Sequence, residues 1–93
     1  MADVLSDEQV AEKLQGLEWK HEGDHIVRDW TFGDFAQAMA FVNRVAEAAE
    51  EANHHPDILV HGWNKVRLLL TNHSAGGLTG VDFEMAKRFD AVA

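Results

Sequence analysis

Three histidines could exchange protons in a chemical reaction. His54 and His55 are adjacent and precede Pro56, the only proline in the chain, and His73 follows in the stretch "LLLTNHSAGGLTG". An imidazole changes charge near neutral pH, so a histidine can donate or accept a proton at little cost. If the fold brings the two segments together, these side chains could remove one proton and deliver another in the same site.

Other interpretations of the three histidines stay open. A histidine at the C-terminus of a helix is often a cap, although two in succession exceed what a cap requires. Three imidazoles could also bind zinc. However, their spacing matches no HExxH-type signature and no carboxylate stands at an obvious ligand offset, so we expect no metal site. The remaining histidines, His21, His25 and His61, are expected in solvated or strand-face positions.

Composition excludes several classes of protein. The 93 residues, 46% of them hydrophobic, predict a single domain over residues 1–93. A net charge of −8 argues against binding to nucleic acid or to anionic membranes. The absence of cysteine excludes disulfides and thiolate chemistry. Because the N-terminus lacks a signal-peptide pattern and no apolar run could cross a bilayer, we expect a cytoplasmic protein.

Helical signals occur in three segments. Ser6 and Gln9 form a capping box, which predicts a short helix from about Asp7 to Gly16. A second helix is predicted from Asp34 to about Asn53, because Pro56 disfavours helical geometry before it. Its apolar stripe consists of Phe35, Ala38, Met39, Val42, Val45, Ala46 and Ala49.

Two features of these helices leave a choice open. Phe41 lies at the edge of the apolar stripe, where it could extend the core or contact another subunit. Thr79 and Asp82 form a T-x-x-D cap for a third helix, so Asp82 is most simply a cap and secondarily a carboxylate of the site. The inward residues expected in the third helix are Val81, Met85, Phe89 and Val92.

Alternating residues predict two β-hairpins. Residues 17–21 and 25–32 flank a turn at 22–24, with Arg28 the polar exception on an apolar face. Residues 58–61 and 64–71 flank Gly62-Trp63, where Trp63 is either a strand aromatic or a surface for stacking a planar ring. The order α-β-β-α-β-β-α therefore predicts an α+β fold, with three helices packed on one face of a four-stranded antiparallel sheet.

The segments that carry these residues resemble the pterin-4a-carbinolamine dehydratase family. The family pattern comprises an acidic residue, His-His-Pro, an aromatic before Asn-Lys-Val, a later histidine and an aspartate in the last helix. Here these elements occur in order as "EEANHHPD" (50–57), "WNKV" (63–66), "TNH" (71–73) and "GLTGVD" (77–82). The resemblance extends over almost the whole chain.

The resemblance implies dehydration of 4a-hydroxytetrahydrobiopterin, or a related carbinolamine, to quinonoid dihydropterin. In this reaction an acid protonates the leaving 4a-hydroxyl while a base accepts the N5 proton. The resemblance assigns the catalytic groups to His54, His55 and His73, without saying which is acid and which is base. It also implies substrate contacts at Asn53, Thr71, Asn72, Ser74, Trp63 and Asp82.

The resemblance further implies that neither a metal nor an organic cofactor is needed. It implies a homodimer or homotetramer, functionally coupled to an aromatic amino acid hydroxylase that supplies the substrate. Trp19 departs from the family, in which a tryptophan often follows glycine directly, and Asn53 and Ser74 replace acidic residues of some relatives. An animal relative is also a dimerisation cofactor for a transcription factor, so a non-catalytic protein-binding scaffold is the alternative function.

Overall fold

The computed structural model describes residues 3–93. Met1 and Ala2, which the predicted domain includes, lie outside the described residues. The order of elements is α-β-β-α-β-β-α, which confirms the predicted α+β class. The elements are α1 (Asp7–Leu14), β1 (Lys20–Glu22), β2 (His25–Thr31), α2 (Phe35–Ala52), β3 (Asp57–His61), β4 (Lys65–Leu70) and α3 (Gly80–Val92).

The strands form one antiparallel sheet in the order β1-β2-β4-β3, so β1 and β3 are its edges. The central pair, β2 and β4, runs from Ile26 opposite Leu70 to Thr31 opposite Lys65. Alternate residues of these strands are fully buried and form the face that the helices cover: Ile26, Val66, Leu68 and Leu70. On the opposite face the Asp29 carboxylate accepts two hydrogen bonds from the Arg67 guanidinium and raises the pKa of Arg67.

The first helix begins as predicted, but the first strand begins later. The Gln9 N–H donates to Ser6 Oγ at 3.2 Å, and the Ser6 N–H donates to Gln9 Oε1 at 2.9 Å, which completes the capping box. Residues 15–18 then turn the chain, with a φ of +82° at Gly16. Because the residues expected to start the strand lie in this turn, β1 begins at Lys20 rather than at Leu17.

The long helix α2 supplies much of the core, although its stripe differs from the predicted one. Phe41 is fully buried, and its ring centroid lies 4.8 Å from that of Trp30, so it extends the core. Phe35, expected on the stripe, is 55% exposed because it is the first residue of the helix and lies beyond the covered surface. Ala46 is also exposed, whereas Ala48 is buried.

In α3 the buried residues are Phe83, Met85, Ala86 and Phe89. The expectation that Val81 points inward is wrong, because Val81 is 37% exposed and the covered side of the helix begins instead at Asp82 and Phe83. In the first turn of α3 the side chain that points into the protein is therefore that of Asp82, not that of Val81.

A polar network fastens the last turn of α3 to the sheet. Asp90 Oδ1 accepts hydrogen bonds from Arg28 Nη1 at 2.8 Å and from Trp19 Nε1 at 2.9 Å. The Arg28 guanidinium also binds Glu18 and lies 4.6 Å from the ring centroid of Trp30. Trp19 is 3% exposed, so this tryptophan is a core residue. These contacts explain the arginine on an otherwise apolar face.

Candidate active site

The end of α2 positions the paired histidines. Asn53 adopts a left-handed conformation with a φ of 51°, which asparagine tolerates better than most residues. The His54 N–H donates to the Ala49 carbonyl at 3.1 Å, so the chain folds back over the last turn of the helix. Pro56 prevents further helix and directs the chain into β3. His54 and His55 therefore lie at a helix-to-strand junction.

One of the paired histidines binds a buried carboxylate from a distant part of the chain. His54 Nε2 lies 2.7 Å from Asp82 Oδ1. The side chain of His54 is 14% exposed, and that of Asp82 is fully buried. An ionised carboxylate only accepts hydrogen bonds, so the pairing places the proton on Nε2 and leaves the lone pair of the imidazole on Nδ1. A group that can accept a proton is thereby held in a defined orientation.

Asp82 has a second function in the same position. Its Oδ2 accepts a hydrogen bond from the backbone N–H of Thr79 at 2.9 Å, which confirms its predicted place in the cap of α3. Asn72 Nδ2 in turn donates to Thr79 Oγ1 at 3.4 Å. A chain of polar contacts therefore connects His54, through Asp82 and Thr79, to the loop that follows β4.

The other paired histidine has a partner in the last turns of the preceding helix, α2. His55 Nε2 forms a short hydrogen bond with Glu50 Oε2, and both side chains are more than half exposed. Glu50 is therefore a site residue that the predicted set of contacts omits. Its place in the motif, ahead of His-His-Pro, is the signal that could have included it. Both adjacent histidines are thus oriented by carboxylates, one buried and one at the surface.

The third histidine lies at the same end of the β3–β4 hairpin. Asp57 of β3 faces Leu69 of β4, so the segment before β3 and the segment after β4 leave the sheet at the same end. His73 is exposed in the turn that follows. The hairpin thus brings the segments of His54 and His73 to one end of the sheet, as the proposed convergence requires.

Asn72 shapes the loop that carries His73. The Asn72 and Gly77 backbones form an isolated antiparallel bridge. The side chain of Asn72 accepts from the Ala75 N–H at 3.1 Å and donates to Thr79, so both ends of the amide are engaged inside the protein. The Gly77 position is tight, since a Cβ there would lie 2.9 Å from Val4 Cγ1. The loop is therefore closed by local contacts.

The remaining predicted contacts differ in their surroundings. Asn53 and Ser74 are exposed at the histidine end of the hairpin. Thr71 is only 6% exposed, and its Oγ1 has no hydrogen-bond partner among residues 3–93. A buried hydroxyl without a partner is uncommon, and the Thr71 oxygen is itself almost inaccessible to solvent. Asp82, by contrast, is buried with both oxygens engaged by the protein.

Trp63 lies at the opposite end of the same hairpin. It occupies the turn between β3 and β4, so the five residues of β3 separate it from the histidines by about 17 Å of extended chain. Its φ of 58° is left-handed, a conformation that costs a residue with a Cβ roughly 1–2 kcal/mol. The side chain is 62% exposed. Within one protomer, Trp63 and the histidines therefore do not share a site.

The structure of residues 3–93 bears on a metal site and on cavities near the histidines. Among residues 3–93, no three histidine or carboxylate side chains converge in a metal-binding arrangement. A cavity of about 150 Å³ lies between α1, the β1–β2 turn and Gly76–Leu78, and one of about 260 Å³ lies among charged residues near Arg67. Neither is lined by the three candidate histidines.

No helix in the described part of the chain is long and apolar enough to span a membrane.

The chain belongs to the pterin-4α-carbinolamine dehydratase family, because the model for "Pterin 4 alpha carbinolamine dehydratase" matches residues 3–92. A relative from Thermomicrobium roseum, provisionally named a pterin-4-alpha-carbinolamine dehydratase, is 50% identical over 90 residues, which is 96% of each chain. A relative from Nocardia farcinica with the same provisional name is 50% identical over 92 residues, covering 98% of this chain and 96% of the relative.

Two solved structures share the fold. One, a transcriptional coactivator/pterin dehydratase from Brucella melitensis, superposes with a TM-score of 0.91 at 31% identity and covers 98% of this chain and 99% of its own. The other is a pterin dehydratase-like protein described as a RuBisCO assembly factor in the alpha-carboxysome. It has a TM-score of 0.70 at 28% identity, over 84% of this chain and 92% of its own. The family resemblance expected from the sequence is thus confirmed.

Proposed function

We propose that this protein dehydrates a 4a-hydroxytetrahydropterin such as 4a-hydroxytetrahydrobiopterin. The observation that carries the proposal is the hydrogen bond between His54 and the fully buried Asp82, in a chain of this family. A helix cap does not require burial, since the exposed Asp34 caps α2. Burying a carboxylate is costly unless it is paired. Asp82 Oδ2 serves the cap, whereas Oδ1 is paired with His54, which supports a role for this carboxylate beyond the cap.

The reaction needs two proton transfers. The C4a–O bond breaks, the hydroxyl leaves as water after it accepts a proton, and N5 loses its proton as the C4a=N5 double bond forms. Positioned histidines suit both transfers, because each can act near neutral pH without a metal ion. The acid that delivers the first proton can be restored from solvent.

We assign the base to His54. With Nε2 held by Asp82, its Nδ1 carries the lone pair that would accept the N5 proton. The acid is then His55, oriented by Glu50, or His73 on the neighbouring loop. Asp82 in this scheme is a positioning residue, as is typical of a carboxylate that holds a catalytic imidazole in one tautomer.

Substrate contacts would come from the same end of the hairpin. Asn53, which adjoins His54, and Ser74, which adjoins His73, are exposed and would bind polar atoms of the pterin. Thr71, whose hydroxyl has no partner among residues 3–93, would do so after a small local rearrangement that exposes it. Asn72 would act on the substrate through the shape of the loop, because its amide is already engaged. We further propose that the protein functions as a homo-oligomer, alongside an aromatic amino acid hydroxylase that releases the carbinolamine.

A protein-binding role is the second candidate, supported by the structural neighbour described as a RuBisCO assembly factor. Phe41, which could have contacted another subunit, is fully buried and is therefore not available to bind a partner. A scaffold would also have no use for an oriented imidazole. We therefore favour the dehydratase.

The test is the dehydration of chemically generated 4a-hydroxytetrahydropterin, followed by ultraviolet absorbance. We expect the wild-type protein to accelerate the reaction over the buffer-catalysed rate and to be indifferent to a chelator. No acceleration would overturn the proposal in favour of the protein-binding role. Acceleration that a chelator abolishes would replace histidine acid–base chemistry with a metal site.

A further inference from the structure

Among residues 3–93, His73 is the candidate catalytic histidine that no carboxylate orients. Carboxylates hold the imidazoles of His54 and His55. His73 instead forms a backbone hydrogen bond, in which its carbonyl accepts the Gly76 N–H at 3.3 Å, and its side chain is exposed. The position of this imidazole at the site therefore depends on the loop that carries it, and on whatever holds that loop in place.

The loop of residues 72–77 is closed by its own hydrogen bonds. The Asn72 N–H donates to the Gly77 carbonyl, and the Gly77 N–H donates to the Asn72 carbonyl, each at 3.2 Å. These bonds fix the shape of the loop, but they do not fix its position on the protein. A cavity of about 150 Å³, lined by Gly76, Gly77 and Leu78 together with the β1–β2 turn, borders the loop. Empty space supplies no contacts that resist movement, so the loop needs support on this side.

The N-terminal segment supplies that support. We call Val4 and Leu5 the strap, because they lie across the end of the loop. The Leu5 N–H donates to the Leu78 carbonyl at 2.8 Å, and the Leu5 side chain packs against the core. Val4 is seated on the backbone of Gly77, where an added Cβ would lie 2.9 Å from Val4 Cγ1. The strap thus contacts the chain where the loop of His73 ends.

The helix α1 holds the strap in turn. Ser6, which follows the strap, is the N-cap of α1 and forms a capping box with Gln9. Leu5 and Val10 occupy the positions of a hydrophobic staple, an arrangement that fixes the angle at which the chain enters a helix. Both also line the cavity beside the loop. The strap is therefore a fixed support for the loop.

We propose that Val4 and Leu5 are positioning residues for the dehydration reaction, because they hold the loop of His73 in place. Without the strap the loop would move toward the cavity and carry the His73 imidazole out of position. A displacement of about 1 Å at a catalytic group lowers a rate by about 100-fold. The effect on turnover rests on the proposed dehydratase function, whereas the hold of the strap on the loop does not.

Gly77→Ala displaces the strap with the smallest change. The φ of Gly77 lies outside the left-handed region, so an alanine fits the backbone. Its Cβ would instead meet Val4 Cγ1, and the half-exposed Val4 side chain is the group that can move away. We expect kcat to fall by about 10- to 100-fold in the folded variant. Gly80→Ala is the matched control, since a Cβ there meets open space, and should keep the wild-type kcat.

Two double variants show whether the loss acts through the strap and through His73. Val4→Ala removes the Cγ1 atom that the new methyl group meets, so Val4→Ala/Gly77→Ala should recover a kcat near that of Val4→Ala alone. In His73→Ala, followed in single turnover, adding Gly77→Ala should cause no further loss, because both changes act on the same group. A merely structural effect would lower the rate by the same factor with or without His73.

A wild-type kcat for folded Gly77→Ala would overturn this inference. Failure of Val4→Ala to restore kcat would also overturn it, as would a full further loss in the His73→Ala protein or full activity of His73→Ala itself.

Amide hydrogen exchange tests the strap without turnover. The bond to Leu78 should protect the Leu5 N–H in wild type, and Gly77→Ala should lose this protection while Gly80→Ala keeps it. Equal protection of Leu5 in all three proteins would show that Gly77→Ala leaves the strap in place, which contradicts the inference. If wild type shows no dehydration, the proposed function fails, and hydrogen exchange still decides whether the strap holds the loop.

Discussion

Replacing Asp82 with asparagine separates the two functions of this buried side chain. The amide oxygen of the asparagine can still accept the Thr79 N–H, so the cap of α3 can survive. The amide NH₂ then faces His54, where the carboxylate oxygen lies 2.7 Å from Nε2. An NH₂ group donates, so Nε2 must become the acceptor and the proton must move to Nδ1. The lone pair assigned to the base is lost.

The expected magnitudes follow from these contacts. A hydrogen bond to a charged group contributes about 1.5–3 kcal/mol, and the neutral bond that replaces it contributes about 1 kcal/mol. We therefore expect Asp82→Asn to lose roughly 0.5–2 kcal/mol of stability, a decrease of about 2–16 °C in Tm for a domain of this size. A positioned base contributes about 100- to 10,000-fold to rate, so kcat should fall by at least about 100-fold.

Turnover is measured at a temperature at which every variant is folded, and thermal unfolding is measured separately for each variant. Asp34→Asn is the matched control, because Asp34 caps α2 through the Gln37 N–H but is exposed and has no histidine partner. We expect it to change stability by less than about 1 kcal/mol and to leave kcat unchanged. A wild-type kcat for folded Asp82→Asn would refute the tautomer argument. An equal loss of kcat in Asp82→Asn and Asp34→Asn would refute it as well.

Three further substitutions test the fold and the rim of the site. Phe41→Ala should lower the free energy of unfolding by about 3–5 kcal/mol because the ring is fully buried. Phe35→Ala should change it by less than about 1 kcal/mol, because Phe35 is exposed. Equal effects of the two variants in denaturant titrations would contradict the assignment of Phe41 to the core. Trp19→Phe removes the hydrogen bond to Asp90, so the free energy of unfolding should fall by about 1–2 kcal/mol while kcat/KM stays unchanged. A loss of turnover without this loss of stability would show that Trp19 belongs to the site. Thr71→Val removes a hydroxyl that has no hydrogen-bond partner among residues 3–93, so Tm should be kept while KM rises. An unchanged KM would exclude substrate binding by Thr71.

Much of the fold could be read from local signals. The capping boxes at Ser6 and Thr79 and the alternation in β4 depend on neighbouring residues, so they were visible in the sequence. The start of β1 was not, because Gly16 marks the end of α1 without saying how many residues the following turn uses. Exposure of Phe35 likewise depends on how far the sheet extends beneath α2, which periodicity does not encode.

The candidate site shows the same division. Histidines before a proline and a third histidine after a strand could be identified from their spacing, and the antiparallel hairpin brings their segments to one end. The partner of His54 could not be identified in this way, because Asp82 satisfies a local capping pattern that hides its distant contact. Trp63 matches the family pattern in sequence, yet its location at the far end of the hairpin is evident only in three dimensions.

The most direct test of histidine catalysis is the single-turnover rate of carbinolamine dehydration by His73→Ala and His54→Ala beside wild type. His73 is exposed and bonded through its backbone, so His73→Ala should keep the wild-type Tm within a few degrees, the range expected of a surface substitution. We predict that both variants, folded by circular dichroism, lose at least about 100-fold in rate, whereas His21→Ala, also exposed, does not. Wild-type rates from the folded His54→Ala and His73→Ala proteins would contradict catalysis by these histidines.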